Sequence, residues 1–330
     1  MVDTSVRQPA RHGYQQQAEE QGKVLSGAIH GPTFHAWDGG GKVWMAVGDH
    51  NLFCFGLGFS AQALIRHLRG RGWTISGTSR DGEGDLIPFS RRQPLTDPGG
   101  ILADVTHVLL SIPPDDDGDP VLACHGADLA ALPNLRWLGY LSTTGVYGDR
   151  GGGWVDEETP PAPTPRRGER RVAAERAWLD WADENKTYHG PAVHIFRLAG
   201  IYGPGRNALE AVRQGWARRI VKPGHVFSRI HVDDLAAVLA ASMAQPNGGA
   251  IYNVCDDEAA PPQDVIAHAA SLLGLDPPPE IAFARAELSP MAASFYRDNK
   301  RTRNDRIKGE LGVQLRYPDY RAGLAALMRG

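Results

Sequence analysis

One short segment constrains the fold of this 330-residue chain more than any other, the six residues GLGFSA. The apolar run NLFCFG overlaps its start and predicts a buried strand, and SAQALIRHLRGRG, at its end, has apolar residues at helical spacing. A glycine-rich turn between a strand and a helix lets the backbone approach a pyrophosphate, and the helix N-terminus offers unpaired N–H groups. The alternative is a tight turn without a ligand. The pattern G-x-G-x-x-A predicts a dinucleotide site formed by Gly56, Leu57, Gly58, Phe59, Ser60 and Ala61.

The chain continues as an alternation of strands and helices. Further strands are predicted in WTISGTS, THVLLSIPP, LRWLGYLS and AVHIFRLAG. Helices are predicted between them, one from Val121 to Leu132 and one in the arginine-rich segment TPRRGERRVAAERAWLDW, with Thr164 as its cap and Pro165 as its first residue. This alternation predicts an α/β fold, a doubly wound parallel sheet with helices on both faces.

Composition excludes several classes of function. The net charge of −3 argues against a general nucleic-acid or membrane-surface binder, and no apolar run approaches the roughly 20 residues that span a bilayer. The three cysteines, Cys54, Cys124 and Cys255, lack metal-site spacing, which indicates a reduced, cytoplasmic protein without a metal. Residues 1–46 are polar and aperiodic, so we predict a disordered extension, with Met45 as an alternative start and a functional tail as the other interpretation.

The end of the second predicted strand bears on the choice of cofactor. NAD-binding folds usually carry an acidic residue there, which bonds the ribose hydroxyls. This strand instead ends in Thr78, Ser79 and Arg80, and a guanidinium next to hydroxyl groups suits a 2′-phosphate. Asp81 follows directly, so NAD stays an alternative. We therefore expect NADP, or else a surface arginine beside a surface aspartate.

Four segments in order resemble the extended short-chain dehydrogenase/reductases, the NAD-dependent epimerase/dehydratase family. They are GLGFSA, YLSTTGVYGD, RLAGIYGPGRN and FSRIHVDDLAAVL. The resemblance runs from about Asn51 to the C-terminus and implies a Rossmann domain that binds NAD(P), with a small C-terminal substrate lobe. On this basis we expect the Rossmann domain to contain 47–203 and about 226–256, and the small substrate lobe to contain about 204–225 and 257–330.

The resemblance also implies the residues of a site. Thr143 falls four positions before Tyr147, where the family places its catalytic Ser or Thr, so we expect Thr143 and Tyr147 to be catalytic. Ser111, Ile112 and Pro113 follow a strand and correspond to a segment close to the ribose and nicotinamide. The residues expected at the substrate are Thr143, Thr144, Arg197, Tyr202 and His231. Structural roles are the alternative: Tyr202 would pack a turn, and Asp233 and Asp234 after His231 resemble helix caps rather than metal ligands.

The arginine-rich helix departs from the family. The family carries Tyr-x-x-x-Lys there, and the alignment puts Arg167 at the tyrosine and Arg171 at the lysine. No other register restores the motif, because the chain has no lysine between Lys42 and Lys186. A second match, YRDNK, lies in the predicted small lobe, and we interpret it as chance. Arginine does not deprotonate in proteins, so Arg167 cannot replace the tyrosine as base.

Three functions stay open from the sequence. The leading one is an NADP-dependent oxidoreductase or epimerase-like enzyme with a rearranged acid/base site. The second is a non-catalytic NADP-binding or sensing protein. The third is an enzyme on sugar nucleotides or anionic sugars in which Arg167 and Arg171 clamp the anion; a solvated basic face with Arg171 paired to Glu175 is the alternative for that helix. For each of these functions we expect the chain to bind a small molecule and to be a monomer or a homodimer.

Overall fold

The computed structural model describes residues 50–82, 84–186 and 190–329, which belong to one compact unit. The predicted extension, residues 1–46, lies outside the described residues. The strands in this part of the chain are β1 Asn51–Phe55, β2 Thr74–Ser79, β3 Ile87–Pro88, β4 His107–Leu110, β5 Trp137–Thr143, β6 Trp154–Val155, β7 Ala192–Leu198, β8 Gly200–Tyr202, β9 Arg219–Val221, β10 Arg229–His231, β11 Ile251–Val254, β12 Glu280–Ala282 and β13 Arg301–Thr302.

The helices alternate with these strands over most of the chain. They are α1 Phe59–Leu68, α2 Pro98–Ile101, α3 Pro120–Ala130, α4 Arg166–Glu184, α5 Ala208–Arg213, α6 Val232–Ala244, α7 Pro262–Leu272, α8 Pro290–Arg297, α9 Asp305–Gly309 and α10 Tyr320–Arg329, with short 3₁₀ turns at Thr144–Tyr147 and Phe283–Arg285. No helix in the described ranges is long and apolar enough to cross a membrane.

Seven parallel strands form the central sheet of the described chain, in the order β11-β7-β5-β4-β1-β2-β3. β1 lies between β2 on one side and β4 on the other, so the direction of winding reverses beside β1. The prediction of a doubly wound parallel sheet is confirmed. In such sheets ligands bind outside the carboxyl ends of the strands at this reversal, which is where GLGFSA lies.

Buried apolar residues cover both faces of the sheet. One core contains Leu52, Leu64 and Phe196, and the other contains Phe53, Trp178 and Ile195. Successive residues of one strand, such as Leu52 and Phe53, therefore point into different cores, as strand geometry requires. This two-sided burial explains why the strands are continuous apolar runs in the sequence.

The ends of two helices differ from the sequence predictions. α4 begins at Arg166 with Pro165 as its N-cap residue, so neither Thr164 nor Pro165 has its predicted position. At α6 the cap is His231 itself, whose ring nitrogen Nδ1 accepts a hydrogen bond from Asp233 N at 3.2 Å. An imidazole can cap a helix because its unprotonated nitrogen accepts from the exposed N–H groups of the first turn.

A further set of elements packs beside the sheet. The strand pairs β6/β13, β8/β10 and β9/β12 are short and parallel. A separate apolar core joins α5, α7 and α10, and it contains Leu209, Val265, Ala269 and Leu324. Residues of both sequence ranges predicted as the substrate lobe contribute to this core.

Candidate functional site

A cleft of about 530 Å³ opens at the carboxyl ends of the central strands. Residues at or just after the ends of β4, β5 and β7 line one part of it, among them Ser111, Thr143 and Ala199. The start of α4 and residues of α8 and β13 line other parts. The cleft therefore lies between the sheet and the segments that follow it in the chain.

The glycine-rich turn reaches this cleft. Gly56 has a φ of 91°, which favours glycine, and a Cβ atom there would lie 2.9 Å from Cγ1 of Ile112. A Cβ atom at Gly58 would meet no atom of the described chain within 4 Å. The turn is thus closely packed on one side and open on the other, so a pyrophosphate could approach the backbone.

The first turn of α1 supplies hydrogen-bond donors at the same place. The first bond along this helix runs from Gln62 N to Gly58 O at 2.9 Å. The N–H groups of Phe59, Ser60 and Ala61 precede it, as in every helix, and carry the positive end of the helix dipole. Leu57 N is held by Thr78 O at 2.8 Å. The turn therefore fits an anionic group such as a pyrophosphate.

The three residues at the end of β2 have different environments, from fully buried to exposed. Thr78 is fully buried, and its Oγ1 accepts a hydrogen bond from Gly56 N at 3.0 Å, so its hydroxyl lies behind the glycine turn. Ser79 Oγ accepts from Gly82 N at 2.8 Å. Arg80 is exposed and forms no ion pair with any described residue. Of the three predicted contacts to the cofactor, Arg80 has the freest side chain.

The segment after β4 lies at the cleft and beside the glycine-rich turn. Ser111 N donates to Phe55 O at 2.9 Å, which continues the pairing between β4 and β1. Ser111 and Pro113 line the cleft, and the side chain of Ile112 lies close to the Gly56 backbone. These residues therefore form the wall beside the glycine turn.

Thr143 and Thr144 line the cleft at the end of β5. Thr143 is the N-cap of the 3₁₀ turn, and its Oγ1 accepts a hydrogen bond from Gly145 N at 3.1 Å. The backbone N–H thus takes one lone pair of the hydroxyl oxygen, and the hydroxyl proton stays free to be donated. Thr143 can therefore donate to an oxygen atom of a ligand in the cleft.

Tyr147 turns away from the cleft. It is fully buried, its hydroxyl donates to Asn253 Oδ1 at 2.7 Å, and Arg197 NH1 donates to the same hydroxyl at 3.0 Å. Burial, as the main cause, raises the pKa of Tyr147 to about 12. The phenol is therefore protonated at neutral pH and committed to internal partners, and the structure does not bring it together with Thr143.

Arg197 is part of the same buried network. It forms an ion pair with Glu175 of α4, at 2.8 Å between NH2 and Oε2, and both side chains are about 95% buried. Ser142, the register partner of Arg197 on β5, donates its hydroxyl to Glu175 as well. Arg197 therefore joins the sheet to α4 and does not line the cleft. The alternative pairing of Arg171 with Glu175 is wrong, because the Glu175 carboxylate forms its ion pair with Arg197.

Arg167 and Arg171 of the arginine-rich helix α4 both line the cleft. Arg171 donates to the Leu141 carbonyl and to the Tyr140 hydroxyl, so its guanidinium is held at the end of β5. Arg167 is exposed and lies over the Phe295 ring, 4.4 Å from the ring centroid. The contact joins α4 to α8 across the cleft mouth, and Arg167 keeps its guanidinium N–H groups available.

Tyr202 and His231 lie outside the cleft lining. They contact each other edge to face at 5.2 Å between ring centroids, and both are buried. The Tyr202 hydroxyl donates to Asp319 O at 3.4 Å. His231 caps α6, and Asp234 accepts from the N–H groups of Arg316 and Tyr317. These residues attach the C-terminal helix to the rest of the unit.

Sequence reasoning missed several residues of the cleft. Phe227 follows β9, and Arg206 lies in the turn after β8. Phe295, Asp298 and Lys300 come from α8 and the segment after it. Lys300 belongs to YRDNK, and its place in the cleft could be found only from the fold, because its spacing from the other site residues in the sequence carries no signal.

No family model matches the chain. It is 30% identical over 283 residues to Protein YeeZ of Escherichia coli K12, and the match covers 80% of this chain and 95% of YeeZ. A structure of a conserved protein of unknown function from Silicibacter pomeroyi is 52% identical, covers 85% of this chain and 98% of that chain, and has a TM-score of 0.77.

Solved structures at lower identity share the fold. The human epimerase family protein SDR39U1, solved with NADPH, is 16% identical, with a TM-score of 0.67 over 85% of this chain and 99% of that one. The dTDP-glucose 4,6-dehydratase of Bacillus anthracis, solved with NAD, is 17% identical with a TM-score of 0.65 over 85% and 96%. The shared architecture includes the parallel sheet described above.

Proposed function

Because the chain belongs to the extended short-chain dehydrogenase/reductases, the NAD-dependent epimerase/dehydratase family, we propose that it is an NADP-dependent oxidoreductase or epimerase-like enzyme with a rearranged acid/base site. One observation carries this proposal. The open face of the glycine turn, the wall at Ser111 and the hydroxyl of Thr143 all lie at the carboxyl edge of one parallel sheet.

A nicotinamide dinucleotide would supply or accept hydride in this cleft. The first N–H groups of α1 and the open side of Gly58 would hold its pyrophosphate. Ser111 and Pro113 would line the ribose and nicotinamide. The chain itself would bind, orient and shield the reacting groups.

The preference for NADP rests on Arg80. It is an exposed cation at the carboxyl end of β2, where a 2′-phosphate would lie, and no described residue pairs with it. Thr78 supports the glycine turn from behind, so it would act on the cofactor only through the backbone. The related structures contain NADPH in one case and NAD in another, so Arg80 is the feature of this chain that favours NADP.

The source of the proton would differ from that in enzymes that use the Tyr-x-x-x-Lys motif. Thr143 would donate its hydroxyl to a substrate oxygen, while Arg167 and Arg171 could bind charge but could not cycle a proton near neutral pH. A catalytic role for Tyr147, as expected from the sequence, would require its hydroxyl to break its hydrogen bonds with Asn253 and Arg197. We therefore assign the substrate oxygen to Thr143.

A second candidate function has its own support. Arg167, Arg171, Arg206 and Lys300 are basic and Asp298 is acidic, so the lining is positive whether or not Lys300 carries a proton. A positive cleft favours a phosphorylated or carboxylated substrate, such as an anionic sugar, with Arg167 as the clamp at the mouth.

A panel of carbonyl compounds would test these proposals. The full-length chain with NADPH would be given neutral, carboxylated and phosphorylated carbonyl compounds, and NADPH absorbance would be followed. We expect turnover on the anionic members, a KM raised by about tenfold or more in Arg167→Ala, and a strong loss of kcat in Thr143→Ala. Arg176→Ala, an exposed charge change on the same helix, is the matched control and should change neither constant.

Two results would decide against the proposal. Turnover that survives Thr143→Ala but disappears in Arg167→Ala would move the chemistry to α4. Retained NADP binding without turnover on any member of the panel would favour the non-catalytic sensing function.

A further inference from the structure

The segment between α8 and β13 brings an acid and an amine into the cleft. Asp298 and Lys300 both line it, together with Thr143. The side chains of Asp298 and Lys300 are 9% and 11% exposed. Ionisable groups this deeply buried usually have full sets of partners, because an unpaired buried charge is costly.

These two groups have incomplete sets of partners. Lys300 Nζ donates to Gly148 O at 2.9 Å, and its distance to Asp298 Oδ2 is 3.9 Å, too long for a hydrogen bond. An ammonium has three N–H donors, so two of them have no acceptor among the described residues. Oδ1 of Asp298 is buried and has no hydrogen-bond partner in the same part of the chain. Both groups therefore have bonding capacity left for a ligand.

The anchoring of Lys300 relates it to Thr143. Gly148, which accepts its hydrogen bond, directly follows the 3₁₀ turn that Thr143 caps. The turn is four residues long, so it holds the hydroxyl and the amine at its two ends. An oxygen atom bound by Thr143 would thus lie in the same cleft as a buried amine.

The surroundings of Lys300 favour its neutral form. Burial, as the main cause, lowers its pKa, and the positive charges of Arg150 and Arg167 act in the same direction. Asp298 and Asp149 act in the opposite direction. The titratable and charged groups around this amine are Asp149, Arg150, Arg167, His225 and Asp298.

We propose that Lys300 is the proton donor and acceptor of this cleft, a role that Arg167 and Arg171 cannot take, and that the substrate is an anionic carbonyl compound or the corresponding alcohol. The inference rests on the proposed function and extends it. The anionic class follows from the positive lining, in which Asp298 is the acidic member within the described residues.

The reaction balances with a reduced nicotinamide dinucleotide as reductant. As the carbonyl carbon receives hydride, the π electron pair moves to the oxygen, which takes a proton from Nζ of Lys300. The ammonium becomes a neutral amine and recovers its proton from water. The sum is a carbonyl compound, reduced cofactor and one proton giving an alcohol and oxidised cofactor. Thr143 would hold the oxygen while the proton moves.

Pyridoxal 5′-phosphate is a suitable probe because it is an anionic aldehyde that forms an imine with a neutral amine. The full-length chain would be treated with it, the imine fixed with borohydride, and the modified lysines identified by peptide mass mapping. We expect Lys300 to react faster than Lys308 at pH 7.5, because burial lowers the pKa of Lys300 and so enlarges its neutral fraction. Lys222, half-buried against Tyr296 O, is a second internal comparison.

The variant Asp298→Asn tests whether the reactivity of Lys300 depends on the carboxylate beside it in the cleft. It removes a negative charge that raises the pKa of Lys300, so the pH at which labelling reaches half its maximal rate should fall. Asp257→Asn is the matched control. Asp257 pairs with Lys308 at 2.5 Å on the exposed surface, and its replacement should leave the profile of Lys300 unchanged.

Titration with NADP in the same preparation distinguishes failure of this inference from failure of the proposed function. NADP binding with labelling of Lys300 no faster than that of Lys308, or with a profile unmoved by Asp298→Asn, overturns the inference and leaves the proposed function standing. Absence of NADP binding to the folded chain overturns both. Selective labelling of Lys300 with the expected shift supports the inference.

Discussion

At the scale of single residues, some of the charged and hydroxyl-bearing side chains expected at the site line the cleft, and others are buried in the core. Thr143, Arg167 and Lys300 line the cleft, whereas Tyr147 and Arg197 complete a buried network. Ser142 and Thr143 are neighbours on β5 and both line the cleft, but the Ser142 hydroxyl donates to Glu175 of the buried network whereas the Thr143 hydroxyl has no acceptor among the described residues. The two neighbours therefore have different roles.

Replacing Tyr147 by Phe should affect stability rather than chemistry. The change removes the hydrogen bond that Asn253 Oδ1 accepts and one hydrogen bond of Arg197, which keeps its ion pair with Glu175, so we expect the free energy of unfolding to fall by about 1–3 kcal/mol. Urea denaturation would measure this, and NADP affinity should stay unchanged. A loss of turnover at unchanged stability would contradict the buried role and return Tyr147 to the cleft.

Arg80→Ala should separate the two cofactors. The guanidinium would form a charge-assisted bond with a 2′-phosphate that NAD lacks, so NADP binding should weaken by about 1.5–3 kcal/mol and NAD binding should change little. Calorimetric titration of both cofactors gives the comparison. Equal losses for NADP and NAD would rule out a contact between Arg80 and the 2′-phosphate.

At the scale of elements, β7 is tied to α6 by a buried histidine. Nε2 of His194 accepts from Asn247 N at 2.9 Å, and its Nδ1 lies 2.6 Å from Ser242 Oγ. This pattern requires a neutral ring in which Nδ1 carries the proton. Burial lowers the pKa of His194 to about 4 from its ordinary value of 6.5.

Acid should weaken this connection. Below pH 6.5 the unfolded chain binds a proton that the folded chain accepts only near pH 4, so the stabilisation is complete above pH 6.5 and is lost as the pH falls toward 4. We expect His194 to account for about 2–3 kcal/mol of lost unfolding free energy between pH 7 and pH 4.5. Burial also lowers the pKa values of His107 and His225 to about 4, and both add to this slope.

Urea denaturation at a series of pH values would check the prediction. In His194→Gln the dependence on pH between 6.5 and 4.5 should be shallower than in the parent chain, although its stability at pH 7 should be lower. An unchanged dependence would show that His194 is charged in the folded chain.

The elements were more predictable from the sequence than the site. Strands such as β1 and β5 are buried on both faces, so each is visible in the sequence as a continuous run of apolar residues. The GLGFSA turn was predictable because strand, glycines and helix are contiguous. By contrast, Arg197 and Lys300 are placed by contacts between elements distant in the chain, Glu175 in one case and Gly148 in the other. Sequence spacing contains no information about such contacts.

At the scale of the whole molecule, the described residues form one unit with its own apolar cores. A chain beginning at Met45 should therefore melt within a few degrees of the full chain, because the N-terminal sequence lacks the apolar periodicity needed to bury a face. Thermal denaturation of both chains tests this. A drop of roughly 10 °C or more, which corresponds to several kcal/mol for a domain of this size, would show that the extension contributes to the fold.

Calorimetric titration of Gly58→Ala with NADP tests the central claim most directly. A Cβ atom at Gly58 would meet no described atom within 4 Å and its backbone is extended, so stability should be unaffected, while the methyl group would occupy the space proposed for the pyrophosphate. Gly309→Ala, equally open but on α9, is the matched control. The account predicts NADP affinity reduced by about tenfold or more in Gly58→Ala and unchanged in Gly309→Ala. Equal NADP affinity in both variants and the parent would contradict it.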